Sequence, residues 1–279
     1  MSFRYRALIR SLLRFLTVPL IAGGFVTFVG QTNGAAQTAG FVAPIGDPVP
    51  LSVKAGYSVL CNSVVKAETR GGRFWTTSRT YRLSTAIDGG KTTITYDVLK
   101  HEVKGDVRQR IEDAGSGFRI ALSETGDVIE KDVWVNPDFR WGNMQRKKRI
   151  AGLDREINLV AGVTNMLRQG EPLWHEKALK EMATGVLVEF DPGAKLKKFS
   201  DGTTVRGIGT LEGEKVIVIE GILRQSGFAR GRSLAIEDQI HALRYLDSGL
   251  PAGGETSRSI NNGRETSEGR TTCVQTQGR

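Results

Sequence analysis

The sequence is poor in the residues from which most catalytic and metal sites are built. Its 279 residues include two cysteines and three histidines, and neither type shows a Cys-x-x-Cys or His-Glu-x-x-His ligand spacing. A Gly-x-Ser-x-Gly nucleophile turn is missing, as is a glycine-rich phosphate loop that opens a helix. There is also no Asn-x-Ser/Thr glycosylation sequence. These absences argue against metal, thiol and nucleotide chemistry, and we expect no cofactor.

The first 36 residues have the composition of a secretory signal peptide. Four arginines and no acidic residue precede an uncharged stretch from Phe15 to Gly30, and small residues follow up to Ala36. A basic, then apolar, then small-residue order is what export and signal cleavage require. The uncharged stretch is shorter than the roughly 20 residues of a spanning helix, which disfavours an uncleaved anchor. We expect cleavage near Ala36, with Ala39 as the alternative, and a periplasmic or secreted product.

Removal of this leader changes the charge argument. The full chain carries 39 lysines and arginines against 30 aspartates and glutamates, a net charge of +9. Four of the arginines precede residue 37, so the remainder has a net charge of about +5, which is ordinary for a domain of this size. Together with export, this makes nucleic acid an unfavourable choice of partner.

The two cysteines predict one disulfide. Cys61 lies near the start of the expected folded region and Cys273 lies close to the C-terminus. In an oxidising compartment two such thiols pair when the fold brings them together. The alternative is a pair of buried free thiols. A bridge would tie the last strand to the first.

The chain from residue 51 onward predicts one β-rich domain, preceded by an extended lead-in over 37–50. Residues 74–87, 91–103 and 118–122 alternate apolar and polar side chains and are separated by Gly- and Asp-rich turns, as in an antiparallel meander. Helical spacing then appears over 153–169 and 172–184. The strand pattern returns with VLVEF after Gly185, and VIVIEGIL from Val216 is the most apolar strand.

Two later segments have patterns that fit more than one structure. Leu234 to Leu246 fits either a strand or a helix, and we favour the strand. Residues 252–269 are rich in Gly, Ser and Thr, which indicates a weak hairpin or a disordered tail. The strands come before and after one block of helices, which points away from a doubly wound parallel sheet. We therefore predict a mainly β, α+β fold whose antiparallel sheet curves into a sandwich or open barrel, with the helices packed on it.

The three histidines offer only weak acid–base candidates. His101 lies near Asp97 and Glu102, and His241 lies near Asp238. On a regular strand Asp97 and His101 share a face but stand about 13 Å apart. His175 is followed by Glu176 without the second histidine of a zinc protease. A solvated strand surface explains these residues better than catalysis.

A basic, aromatic segment is the most suggestive candidate site. Its residues are Arg140, Trp141, Arg146, Lys147, Lys148 and Arg149. Aromatic rings beside dense positive charge suit anionic lipid headgroups, an acidic envelope polymer or an acidic protein. A solvated linker with Trp141 packed on the core explains the segment equally simply.

The function that these features favour is a non-catalytic, exported binding or envelope-assembly module. A curved sheet with helices over one opening encloses a space that suits an apolar small molecule or lipid. At the level of architecture alone this is similar to exported carriers of lipids or lipoproteins. The alternatives are a secreted hydrolase whose acid and base are distant in sequence, and a purely structural envelope protein. A His–carboxylate pair inside a cleft would favour the hydrolase, and a filled core would favour the structural protein.

Overall fold

A computed structural model describes residues 40, 42–106, 113–140, 142–229, 232–261 and 263–277. The predicted signal peptide with its cleavage sites at Ala36 and Ala39 lies outside these residues, as does Trp141. The described elements are β1 Val49–Pro50, β2 Tyr57–Thr69, β3 Phe74–Asp88, β4 Lys91–Gly105, β5 Gly117–Leu122, β6 Val128–Trp134, α1 Asn143–Ala161, β7 Met166–Leu167, α2 Glu176–Phe190, β8 Lys195–Asp201, β9 Thr204–Leu211, β10 Glu214–Ala229, β11 Arg232–Tyr245, β12 Pro251–Ile260 and β13 Glu265–Gln277.

Eleven of the strands form one antiparallel sheet. Its order is β6-β5-β4-β3-β2-β13-β12-β11-β10-β8, and β9 pairs with β10 beside β8. β1 and β7 form a separate two-stranded pair, through which the N-terminal segment is fastened to the connection between the helices. The last strand, β13, therefore lies in the middle of the sheet, with β2 as its neighbour.

The sheet bends around the helix pair. Ten strands side by side would span about 45 Å if flat, whereas two packed helices lie only about 8–10 Å apart. Nevertheless α1 packs on β5 and β6 at one end of the sheet, α2 packs on β8 and β10 at the other end, and the two helices pack on each other. This arrangement requires a curved, unclosed sheet and confirms the predicted fold class. We call the side that carries the helices the inner face.

The main core lies between the inner face and α1. Leu153 and Ile157 of α1 pack in one cluster with Tyr96 and Phe118 of the sheet. Leu179 and Met182 of α2 belong to a second cluster with β10. The apolar side chains that alternate along the strands form the sheet side of this core, and the apolar side chains that recur at helical spacing form the helix side. Within the described residues, no helix is long and apolar enough to cross a membrane.

Both helices differ in position from the sequence prediction. α1 begins ten residues before the expected start at 153 and ends at Ala161, so the connection after it was wrongly predicted as helix. α2 extends to Phe190 and includes VLVEF, which was predicted as a strand. Val186 and Leu187 of this segment pack on Leu234 and Ile236 of β11. Burial against the sheet thus outweighs the β propensity of these residues.

Most of the C-terminal part of the chain lies in strands of the sheet. Leu234 to Leu246 was predicted as a strand, and nearly all of it lies in β11. Residues 252–269 lie mostly in β12 and β13, which form a hairpin, so the hairpin alternative holds. Cys61 and Cys273 are directly paired across β2 and β13 and form a disulfide. Both are fully buried, and the predicted bridge is therefore present.

Candidate functional site

A groove of about 790 Å³ lies between strand β6 and the two helices. This volume falls within the range of about 300–1,000 Å³ that is usual for small-molecule sites. Its walls come from three elements: Val128, Ile129, Glu130 and Lys131 of β6; Ala151, Asp154, Ile157 and Asn158 of α1; and Lys177, Lys180, Glu181, Thr184, Gly185 and Val188 of α2.

The apolar part of the groove is open to solvent because of where β6 lies. Among the described strands, β6 is the last one at its end of the sheet and pairs with β5 alone. Val128 is 39% exposed and Ile129 is 47% exposed. At the bottom, Gly185 approaches the backbone of α1 closely, since a Cβ there would lie 3.2 Å from the Ala151 oxygen. The result is an apolar surface of β6 beside a tight helix crossing.

Charged side chains surround this apolar surface. Lys131 forms an ion pair with Asp154 of α1 at 3.0 Å. Glu130 contacts Lys91 of β4, and the hydrogen bond from this lysine holds the pKa of Glu130 below its usual value. Lys177 and Lys180 of α2 are exposed. An apolar surface with a charged border is suited to an amphiphilic molecule rather than to a purely apolar one.

The predicted basic segment is divided by the fold. It forms the first turns of α1, where Arg146 and Lys147 are exposed, as is Arg140 before the helix. Lys148 Nζ donates to the Phe190 oxygen at the end of α2, 2.8 Å away. Arg149 points inward to Asp113.

The exposed residues of the basic segment do not stabilise α1. Positive charge near a helix N-terminus faces the positive end of the helix dipole and is unfavourable. The first turn of α1 contains no acidic residue that would offset it. Arg146 and Lys147 therefore have no evident role in stabilising α1.

A chain of partly buried ion pairs, which no local sequence pattern indicates, connects the sheet with both helices. It alternates in sign along Arg149, Asp113, Arg79, Glu156, Arg155 and Glu189. Arg79 lies on β3, and Asp113 lies just before β5. These residues are far apart in sequence and show no common spacing, so only the tertiary fold could reveal them.

The aromatic residues beside this chain have perturbed acidities. Tyr96 stacks on Phe118 with ring centroids 5.0 Å apart and an interplanar angle of 4°, and Tyr81 lies 5.0 Å from Tyr96. Burial raises the pKa of Tyr96 to about 12, although the nearby arginines oppose this shift. Burial also raises the pKa of Tyr81 well above its usual value. Both hydroxyls remain protonated at neutral pH.

The fold places Asp97 and His101, which the sequence suggested as a couple, on different faces of the sheet. Leu99 is an extra residue in β4, since Val98 pairs with Tyr81 while Lys100 pairs with Thr80. Such a bulge shifts the alternation of side chains by one. Asp97 and His101 consequently lie on opposite faces, and the prediction that they share one was wrong.

His241 contacts a different carboxylate from the one considered. Asp238 is held by Arg258 at 2.6 Å, whereas His241 Nδ1 lies 3.1 Å from Glu220 Oε1. Burial raises the pKa of Glu220, but hydrogen bonds from Arg206 and His241 outweigh it and leave this pKa below its usual value. This contact joins neighbours across β10 and β11, away from the groove. His175 is exposed at the start of α2.

No group of three or more His, Cys, Asp or Glu side chains within the described part of the chain is arranged to hold a metal ion. The architecture and the groove thus define a class of protein: an open antiparallel sheet that wraps a helix pair and leaves an amphiphilic groove at its edge.

Comparisons do not assign the chain to a family. No protein-family model matches it, and no curated protein matches it. One similar solved structure is a DUF1329 family protein from Desulfovibrio piger, which is 6% identical in sequence and aligns over 80% of this chain and 86% of that chain. Another is a LolA superfamily protein from Nitrosomonas europaea, which is 10% identical and aligns over 81% of this chain and 88% of that chain. Both superpositions have a TM-score of 0.27, which is too low to support a functional inference.

Proposed function

We propose that this protein is an exported, non-catalytic binding protein that holds an amphiphilic small molecule or lipid in the groove beside β6. The observation that carries the proposal is the exposure of Val128 and Ile129 inside a concave groove. Large apolar side chains that line a concavity are characteristic of ligand sites, whereas isolated ones on a convex surface need no explanation.

The disulfide supports the export part of the proposal. Structural disulfides persist in oxidising compartments and are rare in the cytosol. Cys61 and Cys273 are bonded and fully buried in the centre of the sheet. With the basic and apolar leader that precedes residue 37, this favours a periplasmic or secreted protein.

The geometry favours binding over the two alternatives. A hydrolase would need its histidine and carboxylate in a cleft, but the His241–Glu220 contact lies outside the groove. A purely structural protein would have no use for an open groove of about 790 Å³. Both alternatives therefore leave the most distinctive surface of the molecule unexplained.

Binding of a dansyl-labelled fatty acid, followed by its fluorescence, tests the proposal. The purified chain without the leader should bind it saturably, and unlabelled palmitate should displace it. Ile129→Glu should weaken binding at least about fivefold, because it removes apolar contact and places a charge in the groove.

Leu60→Glu is the matched control. Leu60 is 42% exposed on β2 and does not line the groove. It should leave the affinity for the probe unchanged. Absence of saturable binding by the unmodified chain, or equal binding by both variants, would contradict the proposal. Far-UV circular dichroism confirms that each variant is folded.

The exposed part of the basic segment favours contact with an anionic surface of the envelope. Arg146, Lys147 and Met144 are exposed in the first turns of α1, and Arg140 is exposed just before the helix. Cations and apolar side chains in one segment suit anionic headgroups. The double variant Arg146→Glu/Lys147→Glu should lose co-sedimentation with phosphatidylglycerol vesicles. Equal sedimentation of the variant, or equal binding of the unmodified chain to phosphatidylcholine vesicles, would exclude this contact.

A further inference from the structure

A second pocket, of about 480 Å³, lies at the end of the sheet that carries β8. Gly227 of β10 faces α2, since a Cβ there would lie 2.8 Å from Leu187 Cδ1. Side chains alternate along a strand, so Arg224 and Ser226 point away from the helices, to what we call the outer face. The outer-face residues that line this outer pocket are Lys198 and Ser200 of β8, Arg224 and Ser226 of β10, Ala235 and Glu237 of β11, and Ser259 of β12, and Phe199, Gln225 and Ile236 alternate with them along the strands.

Strand pairing arranges the outer-face residues in two adjacent rows. The first row contains, in order across four strands, Ser200, Arg224, Glu237 and Ser259. The second row contains Lys198, Ser226 and Ala235. Directly opposite residues have Cβ atoms about 4.5–5.5 Å apart, and rows two residues apart are separated by about 7 Å. Two cationic side chains and the serine hydroxyls therefore border the same small space.

The outer pocket and its surroundings on β8 carry an excess of positive charge. Glu237 is the one acid among the lining residues, and Arg224 Nε lies 2.7 Å from its Oε2. This ion pair leaves both Nη atoms of Arg224 for another acceptor. Lys198 is exposed, as are Lys195 and Lys197 farther along β8. None of these three lysines forms an ion pair within the part of the chain that the structure describes.

Protection of a sheet edge does not explain the lysines of β8. Charged side chains on an edge strand discourage pairing with another chain, and charge of either sign serves this purpose. β6, at the opposite edge, carries two acids and one lysine, whereas β8 carries three lysines and one acid, Asp201. Asp201 already accepts hydrogen bonds from the backbone and the hydroxyl of Thr203. The single sign of charge beside a serine-lined pocket therefore points to an anionic ligand.

We propose that the outer pocket binds a phosphate group, with Lys198, Arg224 and Ser226 as its main donors. A phosphate offers several charged acceptor oxygens in a tetrahedral arrangement, which suits donors from two rows better than a planar carboxylate does. A lipid headgroup and a soluble phosphate present these same oxygens. The site is separate from the groove beside β6, since no residue lines both, and it does not rest on the function proposed for that groove.

Titration of inorganic phosphate, followed by ³¹P NMR at constant ionic strength, tests the outer pocket. The purified chain without the leader should bind phosphate saturably. Lys198→Gln should weaken this binding about fivefold, the upper end of the range for an exposed ion pair. Glu237→Gln should tighten it about threefold, because it removes a negative charge that competes for Arg224.

Two variants outside the pocket make the same changes in net charge. Lys66→Gln on β2 and Glu268→Gln on β13 replace exposed residues that do not line the pocket. Both should leave the affinity for phosphate within about 1.5-fold, because salt screens distant charges. Absence of saturable binding, or equal effects of the pocket variants and these controls, would overturn the proposal. Far-UV circular dichroism shows that each variant is folded.

Vesicles distinguish the two sources of phosphate. If the group belongs to a lipid, Lys198→Gln should reduce co-sedimentation with phosphatidylglycerol vesicles, and Lys66→Gln should not. If it belongs to a soluble molecule, Lys198→Gln should sediment like the unmodified chain and still bind inorganic phosphate more weakly. Lys198→Gln should also leave binding of the dansyl-labelled fatty acid unchanged, because Lys198 does not line the groove beside β6. Failure of either site is therefore seen independently of the other.

Discussion

Reduction of the disulfide between Cys61 and Cys273 should lower the free energy of unfolding by about 5 kcal/mol. The bond closes a loop with a sequence separation of 212 residues, and the chain-entropy relation gives this magnitude for a loop of that length. The two strands remain paired along thirteen positions without the bond. The loss of stability should therefore arise mainly because reduction increases the conformational entropy of the unfolded chain, and the folded state should change little.

Urea unfolding, followed by tryptophan fluorescence, measures this effect. Both sulfur atoms are buried, so the protein is reduced in denaturant and refolded with reductant present. The midpoint should fall, and the dependence of stability on urea should become steeper, because the reduced unfolded chain exposes more surface. In thermal unfolding, about 5 kcal/mol corresponds to a fall of roughly 10–20 °C for a domain of this size.

The double variant Cys61→Ala/Cys273→Ala is the companion measurement. It should be less stable than the reduced protein, because it also loses two buried sulfur atoms. If the oxidised and reduced proteins differ by less than about 1 kcal/mol, the loop-entropy explanation is refuted. In that case the unfolded chain would already hold the two ends of the domain together.

Three further outcomes follow from the core and the sheet. Leu153→Ala should lower the free energy of unfolding in urea by about 2–5 kcal/mol, because removal of the fully buried side chain leaves a cavity between α1 and the sheet. A decrease of less than about 1 kcal/mol would contradict this packing. Gly254→Ala should cost more than about 2 kcal/mol, since its φ is 145° and a Cβ would lie 2.4 Å from a carbonyl oxygen of β11. Gly46→Ala, which meets nothing within 4 Å, should be nearly neutral. Burial raises the pKa values of Tyr81 and Tyr96 in the folded protein, so the unfolded chain loses these two protons at a lower pH. The free energy of unfolding should therefore fall as pH rises from about 10 to 12. In a tyrosinate absorbance titration both residues should ionise above the usual pKa of tyrosine, and ionisation at the usual pKa in the folded protein would disprove their burial.

Much of the fold follows from local patterns in the sequence. Alternation over residues 118–122 and the apolar run from Val216 specify strands, because a half-buried or central strand needs little more than its own side chains to identify it. The two cysteines also sufficed for the disulfide, since each had one possible partner. The block of helices between strands indicated an antiparallel sheet with helices on it.

The errors lie where a distant element decides the local structure. VLVEF has the composition of a strand but is helical, because Val186 and Leu187 pack on β11. The bulge at Leu99 is visible only in the pairing of β4 with β3, and it moves His101 to the other face from Asp97. The basic segment looked uniform, yet Arg149 is turned inward by Asp113.

Local sequence patterns specify most of the strands, the antiparallel class, the disulfide and the basic segment, because each depends on neighbouring residues or on simple counting. Which residues come together in a site depends on the tertiary structure. The groove exists because β6 ends the sheet beside two crossing helices. The ion pairs from Arg149 to Glu189 form because β3, the residue Asp113 and the two helices converge on one another. Convergence of this kind has no local signature, since it depends on how a curved sheet folds back over its helices.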